Sequence, residues 1–316
     1  MADDTTFDIA VVGGGPAGLA ASMWAARYRR SVMLLDAGEQ RNRWADATHG
    51  YLGLDGFSPR ELIESARREV SSYPEINVRN TARVATVGRG RSGFEIRLDD
   101  GSEVGALRLI LATGVRDTFP SIDRFEEFFG TNVFSCPSCD GYEAQGKSVA
   151  VIGDRDVAPF AVGLLDWATS ITVIVDTPDE DLGALEQLGI RAVVGEPICL
   201  TGEPAQLRSI RLRSGDEVSC EMMFCTMGHE QQSDLPRQLG CEMSSEGCVL
   251  VDDHCATSVE HVYAAGDMTP GPHLVQVAAS KGATAGIAAA ISLRGDDGAP
   301  ISPRPAPDAD DVLTSR

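Results

Sequence analysis

Apolar runs along this chain are short, and glycine or aspartate closes many of them. Asp8-Ile-Ala-Val-Val12 reads as a strand, and Gly13-Gly14-Gly15-Pro16-Ala17-Gly18 follows it at once. An Ala-rich helix then runs to about Tyr28, and Val32–Leu35 makes the next strand, ending at Asp36. Residues 37–60 show no period and are rich in Arg, Asn, Gly and His, as a long functional loop would be. A helix over Pro59–Ser71 and several strands come next. Leu107–Leu111 has the composition of a buried strand and leads into Ala112-Thr113-Gly114. The opening pattern returns at Ser148–Gly153, with a helix over Val157–Trp167 and a strand at Ile171–Val175 ending in Asp176. From 185 to 225 short strands alternate with turns. Val262-Tyr-Ala-Ala265 is a strand running into Gly266-Asp267, and the small residues of Ala278–Leu293 suit a closely packed helix. After Gly295 the chain is rich in Pro, Asp and Gly, which predicts a disordered tail over 297–316. Strand, helix, strand, repeated, predicts an α/β fold with two Rossmann-like nucleotide-binding units.

Composition narrows the setting. A chain of 316 residues with 43% hydrophobic content suits two domains with substantial cores. A net charge of −20 argues against nucleic acid and anionic membranes as partners. The N-terminus has neither the basic residues nor the apolar stretch of a secretory leader. No apolar run approaches the ~20 residues of a membrane span. The expected setting is the cytoplasm, where structural disulfides are rare.

Two motifs carry chemistry. Gly13, Gly15 and Gly18 supply G-x-G-x-x-G between a strand and a helix, with Asp36 ending the next strand at the spacing of a ribose ligand. Glycines allow a tight turn and close backbone approach to a pyrophosphate, and the helix N-terminus stabilises the anion. Cys136-Pro137-Ser138-Cys139 is followed by Asp140-Gly141. Two cysteines at this spacing can close and reopen a disulfide, and the adjacent carboxylate can move the proton involved; capping a helix after the motif is a lesser role for Asp140 and compatible with the first. Structural zinc needs four ligands, and no second C-x-x-C occurs among the remaining cysteines at 199, 220, 225, 241, 248 and 255. Arg41, Asn42, Arg43 and His49 could reach a cofactor or substrate, or be solvated loop residues.

Taken together these motifs resemble the low-molecular-weight thioredoxin reductase family of flavoproteins. The matches are Gly13-x-Gly15-x-x-Gly18, Ala112-Thr113-Gly114, Cys136-x-x-Cys139-Asp140-Gly141 and Ala264-Ala265-Gly266-Asp267 with Gln276 after it. The resemblance implies an FAD domain split into 1–116 and 246–296, a smaller NAD(P)-binding-like domain at 117–245 carrying the cysteine pair, and a homodimer. It places FAD against Gly13, Gly15, Pro16, Ala17, Gly18, Asp36, Arg43, His49, Ala112, Thr113, Gly114, Gly266, Asp267, Gln276 and Val277. Asp36 would take the ribose, Asp267 the flavin side, and Gln276 the neighbourhood of the ring. Cys139 would react with the flavin, Cys136 with the substrate, and Asp140 would act as acid and base.

Two departures set the chain apart. Where the family carries G-x-G-x-x-A for a nicotinamide nucleotide, this chain has Gly153-Asp154-Arg155-Asp156-Val157-Ala158. Where basic residues hold the 2′-phosphate of NADPH, it has Asp176, Asp179, Glu180 and Asp181. These make NADPH a doubtful ligand. The loop from Asp36 to Arg43, with His49-Gly50 and Asp55-Gly56 downstream, resembles the flavin dithiol oxidases that close disulfides in gliotoxin and holomycin. That likeness implies a small dithiol substrate and oxygen as acceptor. The competing expectation is a thioredoxin-type disulfide reductase drawing electrons from NAD(P)H or a protein donor.

Overall fold

The computed structural model describes residues 6–91, 93–153, 156–177 and 182–294. The predicted tail, and with it Asp154, Arg155, Asp179, Glu180 and Asp181, lies outside the described residues. The first sheet grows from Thr6–Val12, which pairs in parallel with Val32–Asp36 on one side and Glu103–Leu111 on the other. Ile76–Asn80 extends one edge, while Phe94–Leu98 and Val84–Arg89 add an antiparallel extension beyond Glu103–Leu111. Val262–Ala264 returns to pair with Leu109–Leu111, so the late part of the chain completes the sheet begun by the early part.

Both faces of this sheet are covered. On one, Ile9, Val11, Leu34 and Ile110 pack under the helices Pro16–Arg27 and Val275–Ile291. Small residues set how near those helices come: a β-carbon on Gly282 would lie 2.0 Å from the Ala17 carbonyl oxygen, and one on Gly286 2.4 Å from that of Ala21. On the opposite face Val12, Leu35, Phe94, Ile96 and Leu111 meet Leu235, Cys241 and Val249. Leu235 and Cys241 are thus back in the first core ahead of residue 246, where the sequence placed the return.

The second sheet has five parallel strands in the order Arg191–Val194, Ser170–Val175, Ser148–Gly153, Met222–Thr226, Val133–Phe134. One face carries Phe125, Phe128 and the antiparallel sheet Pro197–Glu203, Gln206–Leu212, Glu217–Ser219; the other is closed by Ala161, Leu164 and Leu185. Each half is therefore a three-layer α/β unit, and the second is inserted within the first. The connection is a small antiparallel ribbon, in which Val115–Asp117 leads out and His229–Gln231 leads back. No helix among the described residues is long and apolar enough to cross a membrane.

Candidate active site

A cavity of about 600 Å³ runs from the first glycine turn to the cysteine pair. Gly13–Ala17, Asp36, Ala112–Gly114, Gly266 and Asp267 line one end, and Cys136, Cys139, Asp140 and His49 the other. Two of the glycines make the turn fit. A β-carbon on Gly18 would lie 1.8 Å from the Gly13 carbonyl oxygen, and one on Gly13 2.2 Å from that of Ala112. Gly18 thus works by packing and does not itself line the cavity. A β-carbon on Gly15, by contrast, would meet nothing within 4 Å. It faces open space ahead of the helix Pro16–Arg27, whose first N–H groups need an acceptor. Asn42 Nδ2 and Thr48 Oγ1, both on cavity-lining residues, are buried without hydrogen-bond partners.

Asp36 is 4% exposed and held by its own surroundings. Its Oδ1 accepts from Gly14 N–H (3.2 Å) and Gly38 N–H (3.0 Å), and Oδ2 pairs with Arg67 and accepts from Gln40 Nε2 at 3.4 Å. Arg67 comes from the helix Pro59–Ser71, and nothing in the local sequence pattern marks it.

The arginines of residues 41–44, a 3-10 turn, divide their labour. Arg41 faces in. It grips Asp117 through Nη2 (2.5 Å) and Nε (2.9 Å), and through Nη1 it reaches Asp267 Oδ2 (3.0 Å) and His273 Nδ1 (2.8 Å). Arg43 is exposed: it donates to the Gln40 carbonyl and lies 4.9 Å over the Trp44 ring, so the structure does not bring it to the cavity. Gln276 and Val277 also fall outside the wall, which Leu274, Val275 and Ala278 of the same turn provide. A β-carbon on Gly50 would lie 3.8 Å from the Gln276 amide nitrogen.

Cys136 and Cys139 form a disulfide, with Cα atoms 5.3 Å apart. Cys139 and Asp140 belong to the four-residue helix Pro137–Asp140; Asp140 sits inside that helix, at its last position, and not at an N-cap. The Asp140 carboxyl lines the cavity, and burial, then the nearby Glu143 carboxylate, pushes its pKa up to about 7. His49 does not stand alone: its Nδ1 is 3.5 Å from Glu143 Oε1 and 4.0 Å from Asp55 Oδ1. The six other cysteines lie outside this disulfide and are buried, and burial pushes the Cys220 thiol up to about 12. A thiol so far from ionising is a poor nucleophile.

Comparison with known proteins agrees with this geometry. The family model of the pyridine nucleotide-disulphide oxidoreductases matches residues 7–158 and 176–282, and the chain belongs to that family. It is 29% identical over 319 residues to the thioredoxin reductase tcpT of Claviceps purpurea, covering 94% of this chain and 97% of that protein. Among solved structures, a putative thioredoxin reductase TrxB from Bacillus anthracis superposes with a TM-score of 0.85 at 32% identity, covering 90% of this chain and 97% of that one. The structure of HlmI does so with a TM-score of 0.84 at 30% identity, covering 90% and 91%. The chain is therefore a thioredoxin reductase-like oxidoreductase acting on thiol or disulfide groups.

Proposed function

We propose that this protein is an FAD-dependent dithiol oxidase that closes a disulfide in a small substrate through Cys136 and Cys139. The observation that carries the reading is one cavity joining a dinucleotide cradle to a disulfide with a carboxyl of neutral pKa beside it. The cradle fits FAD. Gly15 leaves room at a helix N-terminus, and Asn42 and Thr48 present buried polar atoms that need partners. When bound, FAD supplies a two-electron carrier between the dithiol and a final acceptor, for which we propose oxygen.

The chain's own groups perform the thiol chemistry. A substrate thiolate attacks Cys136 Sγ, the Cys136–Cys139 bond breaks, and Cys139 departs as a thiolate. The substrate's second thiol then attacks its own sulfur in the mixed disulfide, and Cys136 is released. The substrate loses two electrons and two protons, and the cysteine pair gains the two electrons. We assign to Asp140 the taking of a proton from an incoming thiol and the return of one to Cys139, a role supported by its place in the same short helix and by a pKa pushed up to about 7.

The direction of electron flow rests on the second unit. Arg155 occupies the sequence position of a cradle glycine, and Asp176 comes just after the following strand, where an NADPH phosphate would need a cation. The family model also passes over residues 159–175, the helix and strand behind that turn. We further propose that the protein is a cytoplasmic homodimer, with its inserted unit leaving and rejoining at the ribbon. The experiment is an anaerobic titration of the purified holoprotein. A small dithiol should bleach the flavin absorbance, and micromolar NADPH should leave it. Rapid bleaching by NADPH would return the protein to the reductases.

A further inference from the structure

We propose that Glu143, held in place by His49, is the positioning residue for proton exchange at Asp140. The inference deepens the proposed function and rests on Asp140 acting as its acid and base. Glu143 lies three residues after Asp140, in the next short turn, Tyr142–Ala144. Its two carboxylate oxygens meet different fates. Oε1 faces the imidazole of His49, 3.5 Å away, on a loop nearly a hundred residues earlier in the chain. Oε2 is buried and has no hydrogen-bond partner. A buried carboxylate oxygen that no protein group meets is costly to place, so something must hold the side chain there.

His49 is equipped to do that. The loop around it is tied by Thr48 N–H to Phe57 O (2.8 Å), Gly56 N–H to Thr48 O (2.9 Å) and Gly50 N–H to Asp55 Oδ1 (2.7 Å). The imidazole is therefore fixed on one side and meets Glu143 on the other. The titratable group of this loop that faces Glu143 is His49, with Asp55 on the far side of its ring, and Cys136, Cys139 and Asp140 share the cavity wall. No lysine or arginine pairs with either carboxylate among the described residues. A negative charge close to a half-buried carboxyl favours the protonated form of that carboxyl. This agrees with the upward shift at Asp140, in which the Glu143 charge is the second cause after burial.

The pH dependence of single-turnover reduction by a dithiol tests this assignment. In the parent protein the rate should inflect near pH 7 as Asp140 loses its proton. Glu143→Gln keeps the shape of the side chain and removes its charge, so the inflection should move down by ~1 unit. At pH 6 the variant would then be several-fold faster than the parent. His49→Ala releases Glu143 toward solvent and should move the inflection the same way by a smaller amount. In an Asp140→Asn background, Glu143→Gln should change nothing further. An unmoved inflection in Glu143→Gln overturns the role of Glu143, and one unmoved in His49→Ala overturns the tether. Should Asp140→Asn itself leave rate and pH profile unchanged, the underlying reading of Asp140 fails, and that outcome is distinct from the other two.

Discussion

The two nucleotide-type units begin with the same strand and turn, and they part within a few residues. In the first, Gly13 follows a strand that ends at Val12, Gly15 opens onto the cavity, and Pro16 starts a helix of 12 residues backed by Val275–Ile291. In the second, Gly153 ends the strand with its missing side chain filled by Thr226, since a β-carbon there would lie 1.7 Å from Thr226 Oγ1. Asp156 then stands in a left-handed conformation (φ +52°), and the helix lasts only seven residues before loosening into a 3-10 turn. The glycine that lets strand and sheet meet is present in both. The glycine that leaves space for a ligand is present in one. A fold can thus keep the packing half of a motif while changing the binding half, and the cysteine pair rides on the unit so changed.

The two units should separate most clearly at the cysteines. Cys136→Ser and Cys139→Ser should each abolish dithiol oxidation while FAD stays bound, because the cofactor's cradle is in the other unit. Activity and the flavin spectrum check this together, and normal turnover in either variant would make the pair structural. Asp140→Asn comes next, with a rate loss of ~10²–10⁴-fold. It should also stabilise the protein at pH 8. A carboxyl whose folded pKa lies near 7, above its unfolded value of 3.8, favours folding while protonated; that contribution is lost as pH rises between the two values. The asparagine never ionises, so a gain on the order of 1–3 kcal/mol is expected above pH 7 and little at pH 4. Denaturant melts at the two pH values would show it.

Smaller effects distinguish the two turns. Gly15→Val places a side chain in the open end of the first cradle without touching the core. FAD should bind ~10–100-fold more weakly, with unchanged circular dichroism. Tight FAD binding in that variant would remove the cradle from the argument. Asp156→Gly relieves a left-handed aspartate in the second unit and should raise stability by ~1 kcal/mol without affecting dithiol turnover. A loss of turnover there would mean that the strained turn serves the chemistry.

The sequence exposed most of the frame because the frame rests on periodicity and glycine spacing. Leu107–Leu111 reads as a buried strand and is one, at the centre of the first sheet. The helix Pro59–Ser71 starts and stops where the pattern predicts. The lining of the candidate site was legible where a motif fixes backbone, as at Gly13–Ala17 and at Cys136, Cys139 and Asp140. It was not legible where one side chain is chosen from several of a kind. Arg41 and Arg43 are two residues apart in a 3-10 turn, and only the packing against Asp117 and Asp267 decides which faces in. Arg67, which holds Asp36, sits in a helix rich in arginine and glutamate and carries no local mark. Gln276 and Val277 miss the cavity because a helix turns about 100° per residue, so their neighbours Val275 and Ala278 share the inward face instead.

The ribbon between the units also governs how the chain closes on itself. Asp117 leaves the first unit directly opposite His229, which returns to it. To the first unit the entire excursion between them has the ends of a hairpin. Its closure entropy grows only with the logarithm of the loop length, and once the inserted unit has folded by itself that length no longer counts. Residues far apart in sequence, such as Leu111 and Val262, which flank the excursion, can then find their places in one sheet as if joined by a short connection. The ribbon makes the inserted unit a cassette: its length and loops can change without altering the distance the host must span.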